Sequence, residues 1–178
     1  MPRPESWFVV GRTIIVHDKM QSNYHYTLVK PMGDFSDYPD FQPELTPTQM
    51  LHYGVFEGKY LNDCTDEFPL EWFVGSPLSE DHRPHVELNF FRIKSRQSLS
   101  EWKRKQWIVG HDVRGWFQWY CRFFIGRRDS SVDALQVKRW KAFKRHRAQL
   151  QKNCVQGDAS CRPKQRQALL QWAYDPLV

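Results

Sequence analysis

DVRGWFQWYCRFFIGRRDSSVDALQVKRWKAFKRHRAQLQK, residues Asp112 to Lys152, is the stretch whose reading decides the fold. In its first half Val113, Trp116, Phe117, Tyr120, Phe123 and Phe124 recur at three- and four-residue spacing, the signature of a helix with a broad apolar face. Arg114, Gln118 and Arg122 fall on the opposite side. Asp112 stands where an N-cap would, and Gly126 where a helix would end. The second half predicts another helix, from about Ser131 to Lys152, with Val137, Trp140, Phe143 and Leu150 inward and Lys138, Lys141, Lys144, Arg145 and Lys152 outward.

Working outward, Ser98-Leu-Ser-Glu101 reads as a capping box that opens a helix reaching about Trp107. A last helix starts at Pro163 and stops before Pro176, burying Ala168, Leu169 and Trp172. Upstream, Trp7–Val16 and Tyr24–Val29 are rich in β-branched and aromatic residues and predict a hairpin, with Gly11 at a bulge or bend. Lys30–Pro47 is an irregular loop whose Phe35, Tyr38 and Phe41 need a surface to pack on. Thr46 and Pro47 open a short helix that Gly54 stops, Pro69 favours another around Leu70–Phe73, and the alternation of His85–Ile93 predicts a third strand. The expected fold is therefore α+β, a small N-terminal antiparallel sheet packed on a C-terminal bundle of about four helices. Residues 1–97 form the strand and loop region and 98–178 the basic, aromatic-rich helical region of one unit.

The chain of 178 residues, 40% hydrophobic and with eight Trp, has enough apolar mass for a folded domain. Its net charge of +6 is unevenly spread: nine Lys and Arg face fourteen Asp and Glu before residue 98, and seventeen face six from there on. Such a split points to an anionic partner for the C-terminal part. Cys64, Cys121, Cys154 and Cys161 are dispersed, so a secreted disulfide framework is not expected, although Cys154 and Cys161 are spaced for a loop disulfide or two separate thiols. No apolar run reaches membrane-spanning length. The expected compartment is the cytoplasm or the nucleoid or nucleus, and no membrane partner is expected.

The cations Arg127, Arg128, Lys138, Arg139, Lys141, Lys144, Arg145, Arg147 and Lys152, with Arg162, Lys164 and Arg166 behind them, suit phosphate binding through counterion release. Few acidic residues interleave with them, unlike a self-compensating surface helix. Arg114, Arg122 and the aromatic Trp119 extend the group, with Trp119 the candidate for stacking on an unpaired base. The leading expectation is a DNA- or RNA-binding protein, with single-stranded or structured substrates favoured. A second constellation, Lys59, Asp63, Asp66 and Glu67 in GKYLNDCTDEF, offers carboxylates for acid–base work or Mg²⁺ and an amine for phosphate or nucleophilic chemistry, or else a capped turn. It defines the alternative, an enzyme acting on nucleic acid or nucleotides. An adaptor docking an acidic protein is the third class. Cys154, Cys161 and His146 lack zinc spacing, as do His82 and His85, and no phosphate loop or nucleophile elbow occurs, so no metal or cofactor is expected unless the acidic group binds Mg²⁺.

GVFEGKYLNDCTDEFP, DVRGWFQWYCRFFIGRR, QVKRWKAFKRH and CRPKQRQALLQWAYDP together resemble a family of small basic proteins over roughly residues 46 to 176. The resemblance carries no catalytic role to any position. It implies that the acidic and the Arg–aromatic stretches belong to one design, in which Lys59, Asp63, Asp66 and Arg114 meet.

Overall fold

The computed structural model describes residues 1–178. Its sheet is a single hairpin, β1 (Thr13–Val16) antiparallel to β2 (Tyr24–Thr27), in the register Ile14↔Tyr26 and Val16↔Tyr24. Alternation decides its faces: Ile14, Val16 and Tyr26 point into the protein, while Thr13, Ile15 and Thr27 face water. The first strand is shorter than the sequence predicts. Gly11 sits at φ +87, ending the regular ladder, and Glu5–Trp7 form a 3₁₀ turn on which the Arg3 and Arg12 guanidiniums lie 3.8 and 4.6 Å from the Trp7 ring.

Helix α1 (Pro47–Tyr53) begins as its residues require: the Thr46 hydroxyl accepts from the Gln49 amide N–H (3.2 Å), and the Gln49 side chain accepts from the Thr46 N–H (2.8 Å). From Gly54 to Gln97 the chain makes only 3₁₀ turns, at Phe56–Gly58, Thr65–Glu67, Leu70–Trp72 and Val86–Leu88. The expected third strand at His85–Ile93 is thereby corrected. Its backbone amides go to separate acceptors rather than to a neighbouring strand: His85 donates to the Glu57 carbonyl, Phe90 to Gly54, and Phe91 to the Gln167 side chain.

Four helices follow: α2 (Leu99–Arg104), α3 (Trp116–Ile125), α4 (Asp133–Asn153) and α5 (Pro163–Leu170). Ser98 caps α2 by accepting from the Glu101 N–H, but the Glu101 carboxylate turns to Arg104 instead of closing a box, and the helix stops before Gln106, which adopts φ +58. α3 begins after Gly115 (φ +97), not at Asp112, because the Asp112 carboxylate is taken by arginines. α4 and α5 are joined by a loop closed by the Cys154–Cys161 disulfide, whereas Cys64 and Cys121 are free and buried. No helix is long and apolar enough to cross a membrane.

α3 is the axis of the core. All of it is buried except Phe124, so the expected polar face is absent: Gln118 and Arg122 are 0% exposed. Phe41, from the proline-containing loop, is wedged edge-on against Trp116, Tyr120, Phe123 and Trp140. Burying a ring of this size contributes roughly 3 kcal/mol. The hydrophobic cluster of 32 residues runs from Phe8 to Val178 and draws on both sequence regions.

The hairpin is bolted to the end of α3 at Gly126, whose carbonyl accepts from the Val29 and Lys30 amides. Gly126 has φ +114, and a Cβ there would lie 2.0 Å from the Lys30 carbonyl oxygen. Gly126→Ala is expected to destabilise the protein by at least about 2 kcal/mol, read as a lower urea midpoint, because left-handed strain adds to a backbone collision that must push the hairpin away.

Candidate functional site

The 3₁₀ turn Thr65–Glu67 rotates Glu67 inward and leaves Asp66 outside. Glu67 Oε1 accepts from the Tyr26 hydroxyl (2.8 Å) and from Arg122 Nε (2.6 Å), and Oε2 accepts from Arg122 Nη2 (3.2 Å). Arg122 also donates to the His111 carbonyl (2.8 Å), the Gln21 side chain (2.9 Å) and Asp112 (3.2 Å). Arg127 grips the same Asp112 with two bonds of 2.8 Å each. Two carboxylates and two guanidiniums thus cancel inside the protein, which is the condition for burying charge at all. Burial, reinforced by the Glu67 carboxylate, holds the Tyr26 phenol well above its ordinary pKa.

The four residues expected to act together in the acidic stretch separate. Lys59 is exposed, and Asp66 pairs with the N-terminal amine at the surface. Asp63 pairs with Arg114 (2.8 Å), which also holds Asp18 (3.1 Å), while Glu67 lies in the network described above. Of the foursome implied by resemblance, Asp63 and Arg114 meet and Lys59 and Asp66 do not join them. The carboxylates Asp63, Asp66 and Glu67 take three different partners: Arg114, the N-terminal amine and Arg122.

The residues expected to bind nucleic acid divide between the core and the surface. Arg114, Arg122 and Arg127 are 7%, 0% and 1% exposed and each pairs with a protein carboxylate, and Trp119 is a core residue whose indole N–H donates to Asp133 (2.9 Å). Arg128 lies over the Phe123 ring and pairs with Asp37, Lys141 pairs with Asp40, and Arg147 with Glu44. Much of the charge split along the sequence is therefore internal, with the acidic half folding onto the basic half. What remains on α4 is Lys138, Lys144, Arg145 and Lys152, all exposed and without an acidic partner. Lys138, Arg145 and Lys152 follow one side of the helix for about 21 Å at 1.5 Å per residue.

Beside this face lies a cleft of about 400 Å³. Its apolar lining includes Trp102 and Trp107, Phe143 and Trp172, and Trp116 and Phe117 at the start of α3. Phe143 and Trp172 are stacked at 5.0 Å, and Trp107 is 40% exposed. Gly115 suits the shape: at φ +97, a Cβ there would press 3.2 Å from the Trp102 ring, which would have to give by a few tenths of an ångström. Polar side chains share the walls: Ser95, Arg96, Gln97, Arg139, Arg145 and Gln171. Arg96 is neutralised by Glu57 at 2.6 Å. Arg139 donates to the Trp107 carbonyl and Gln136 side chain and has no carboxylate partner, so burial alone pulls its pKa down. Gln171, 6% exposed, carries an amide oxygen with no donor. An unmet buried polar group costs about 1–3 kcal/mol.

Trp102, Trp107 and Trp172 lie in the region that the sequence marks as basic and aromatic-rich, and Arg139 is among its cations, but nothing in that reading singles out Arg96 or Gln171. A glutamine on the buried side of ALLQW, between Leu169, Leu170 and Trp172, is the one visible signal for the latter. No family model matches the chain, and neither does any curated protein or solved structure.

Two measurements check this electrostatic account. Arg122→Met should cost about 3–5 kcal/mol of unfolding free energy, since it strands Glu67, whereas Asp66→Asn at the surface should stay within about 0.5 kcal/mol. In an alkaline titration followed by phenolate absorbance, Tyr26, Tyr60, Tyr120 and Tyr174 should stay protonated until the protein unfolds, because burial raises each of them above the ordinary 10.0. The native state then holds protons that the unfolded chain releases near that value, so the contribution of these tyrosines to stability is constant below it and falls as pH rises above it.

Proposed function

We propose that the protein binds single-stranded nucleic acid along α4 and at the aromatic cleft beside it. The observation that carries this reading is the set of α4 cations, Lys138, Lys144, Arg145 and Lys152, left exposed after the neighbouring Lys141 and Arg147 have found carboxylates. The sole acidic residue of α4, Asp133, is buried at its first turn, so nothing on the helix offsets them. A row of cations attracts a phosphate backbone without regard to sequence. Partly exposed tryptophans next to it offer a face on which an unstacked base gains roughly 1–3 kcal/mol, and a duplex keeps its bases out of such a slot. The footprint is small, so the affinity it supports is moderate and strongly dependent on salt.

The alternative, an enzyme using Lys59, Asp63, Asp66 and Glu67, loses geometric support. Asp63 and Glu67 are held by arginines, and Lys59 and Asp66 are not drawn to them. A general base or metal ligand needs a free lone pair facing a substrate.

Fluorescence anisotropy of labelled single-stranded DNA, single-stranded RNA and duplex DNA across a salt series tests the reading. About four phosphate contacts on a single strand predict a slope of log K against log salt near −3, with the duplex binding more weakly. The combined Lys138→Glu, Lys144→Glu and Arg145→Glu variant should retain its fold, since all three are exposed, and lose binding at every salt concentration. Binding that ignores both salt and the variant removes this reading.

A further inference from the structure

The cleft's three chemical features specify more than a sticky surface. Its sides are flat aromatic rings, which favour a planar occupant. Arg139 and Arg145 line it without a carboxylate to neutralise either, which favours an anionic occupant. Gln171 is one of its lining residues, and its amide oxygen is buried without a hydrogen-bond partner, which favours an occupant that brings a hydrogen-bond donor. A lipid headgroup lacks the plane, inorganic phosphate lacks both plane and donor, and an aromatic peptide side chain lacks the anion. A nucleotide supplies all three, and glutamine amides pair with the adjacent donor and acceptor of a base edge such as that of adenine. The volume also suits a small ligand, for which pockets begin at about 300 Å³.

We propose that the cleft holds one nucleotide unit, with its base against Trp107, Phe143 and Trp172, its hydrogen-bonding edge on the Gln171 amide, and its phosphate on Arg139 and Arg145. Gln171 is then the residue that recognises the base. The polymer version rests on the single-strand reading above, but a free mononucleotide has the same chemistry, and the test separates the two sources.

The full chain is titrated with adenosine 5′-monophosphate, adenosine and inorganic phosphate, followed by quenching of its tryptophan fluorescence and by equilibrium dialysis. The same protein is then given oligo(dA) and an abasic oligomer of equal length. The expected result is that the mononucleotide binds at least tenfold more tightly than adenosine or phosphate, and oligo(dA) at least tenfold more tightly than the abasic strand. Gln171→Leu should erase both preferences while the salt slope for the oligomer stays unchanged. Because Gln171 is buried and its variant could unfold, Trp107→Ala at the exposed mouth is the second probe, with a loss of fivefold or more for the mononucleotide.

If oligo(dA) and the abasic strand bind equally and Trp107→Ala changes nothing, the base slot is overturned and strand binding by α4 stands. Phosphate competing as well as the mononucleotide overturns it too. If the mononucleotide binds through Gln171 and Trp107 while no oligomer binds, the slot is upheld with a free nucleotide as its occupant, and the single-strand reading falls.

Discussion

Everything else in the structure is arranged around the Arg122 guanidinium. It sits on the most buried helix, and its Nε and both terminal nitrogens reach Glu67, Asp112, Gln21 and the His111 carbonyl. Those partners come from the connector between the strands, the acidic turn and the segment leading into α3, so one side chain fixes the relative positions of three pieces of irregular chain. A buried guanidinium with a missing partner is costly, and it therefore tolerates few alternative arrangements of its neighbours. Arg127 repeats the device one turn later by holding Asp112, and the Gly126 carbonyl between them receives the amides that follow the hairpin.

This constraint explains how a chain with only two four-residue strands and long irregular connections has one packed interior. Regular elements satisfy their own backbones, but loops need outside partners. Here side chains supply them: Asn89 bridges the Glu57 amide and the Ile93 carbonyl, Gln167 bridges the Phe91 amide and the Gly54 carbonyl, and the Tyr120 hydroxyl closes on the Leu45 carbonyl. The polar residues of the core serve as struts between loops. The cleft beside α4 is lined by aromatic rings and by Arg139 and Arg145, which have no carboxylate partner.

The candidate site was legible only in part. The outward cations Lys138, Lys144, Arg145 and Lys152 follow from helical spacing, since a helix that buries Val137 and Trp140 must turn them to solvent. Arg114, Arg122 and Arg127 look the same in the sequence and lie inside. An arginine's surroundings depend on carboxylates far along the chain, as with Arg114 and Asp63, 51 residues apart, or Arg122 and Glu67, 55 apart, and no local pattern reports such pairings. The cleft was illegible for a related reason. Its walls come from α2, α3, α4, α5, the Phe56–Tyr60 turn and the connecting segments that carry Arg96, Trp107 and Trp172, with Gly115 close against the Trp102 ring.

By itself the sequence determined the elements whose signals are local: α1 through Thr46, Pro47 and Gln49, the start of α2 through Ser98, the end of α3 through Gly126, α5 through Pro163, and the hairpin through alternating β-branched residues. Capping and periodicity act within a few residues, so they can be read from the chain alone. Only the tertiary structure decided that α3 has no polar face, that His85–Ile93 is not a strand, and that Asp112 belongs to arginines rather than to a helix start. It also decided that the acidic half of the chain neutralises much of the basic half. Those outcomes depend on which charges and amides meet across the fold, because the cost of burying a charge or an amide is set by its partner and not by its neighbours in sequence.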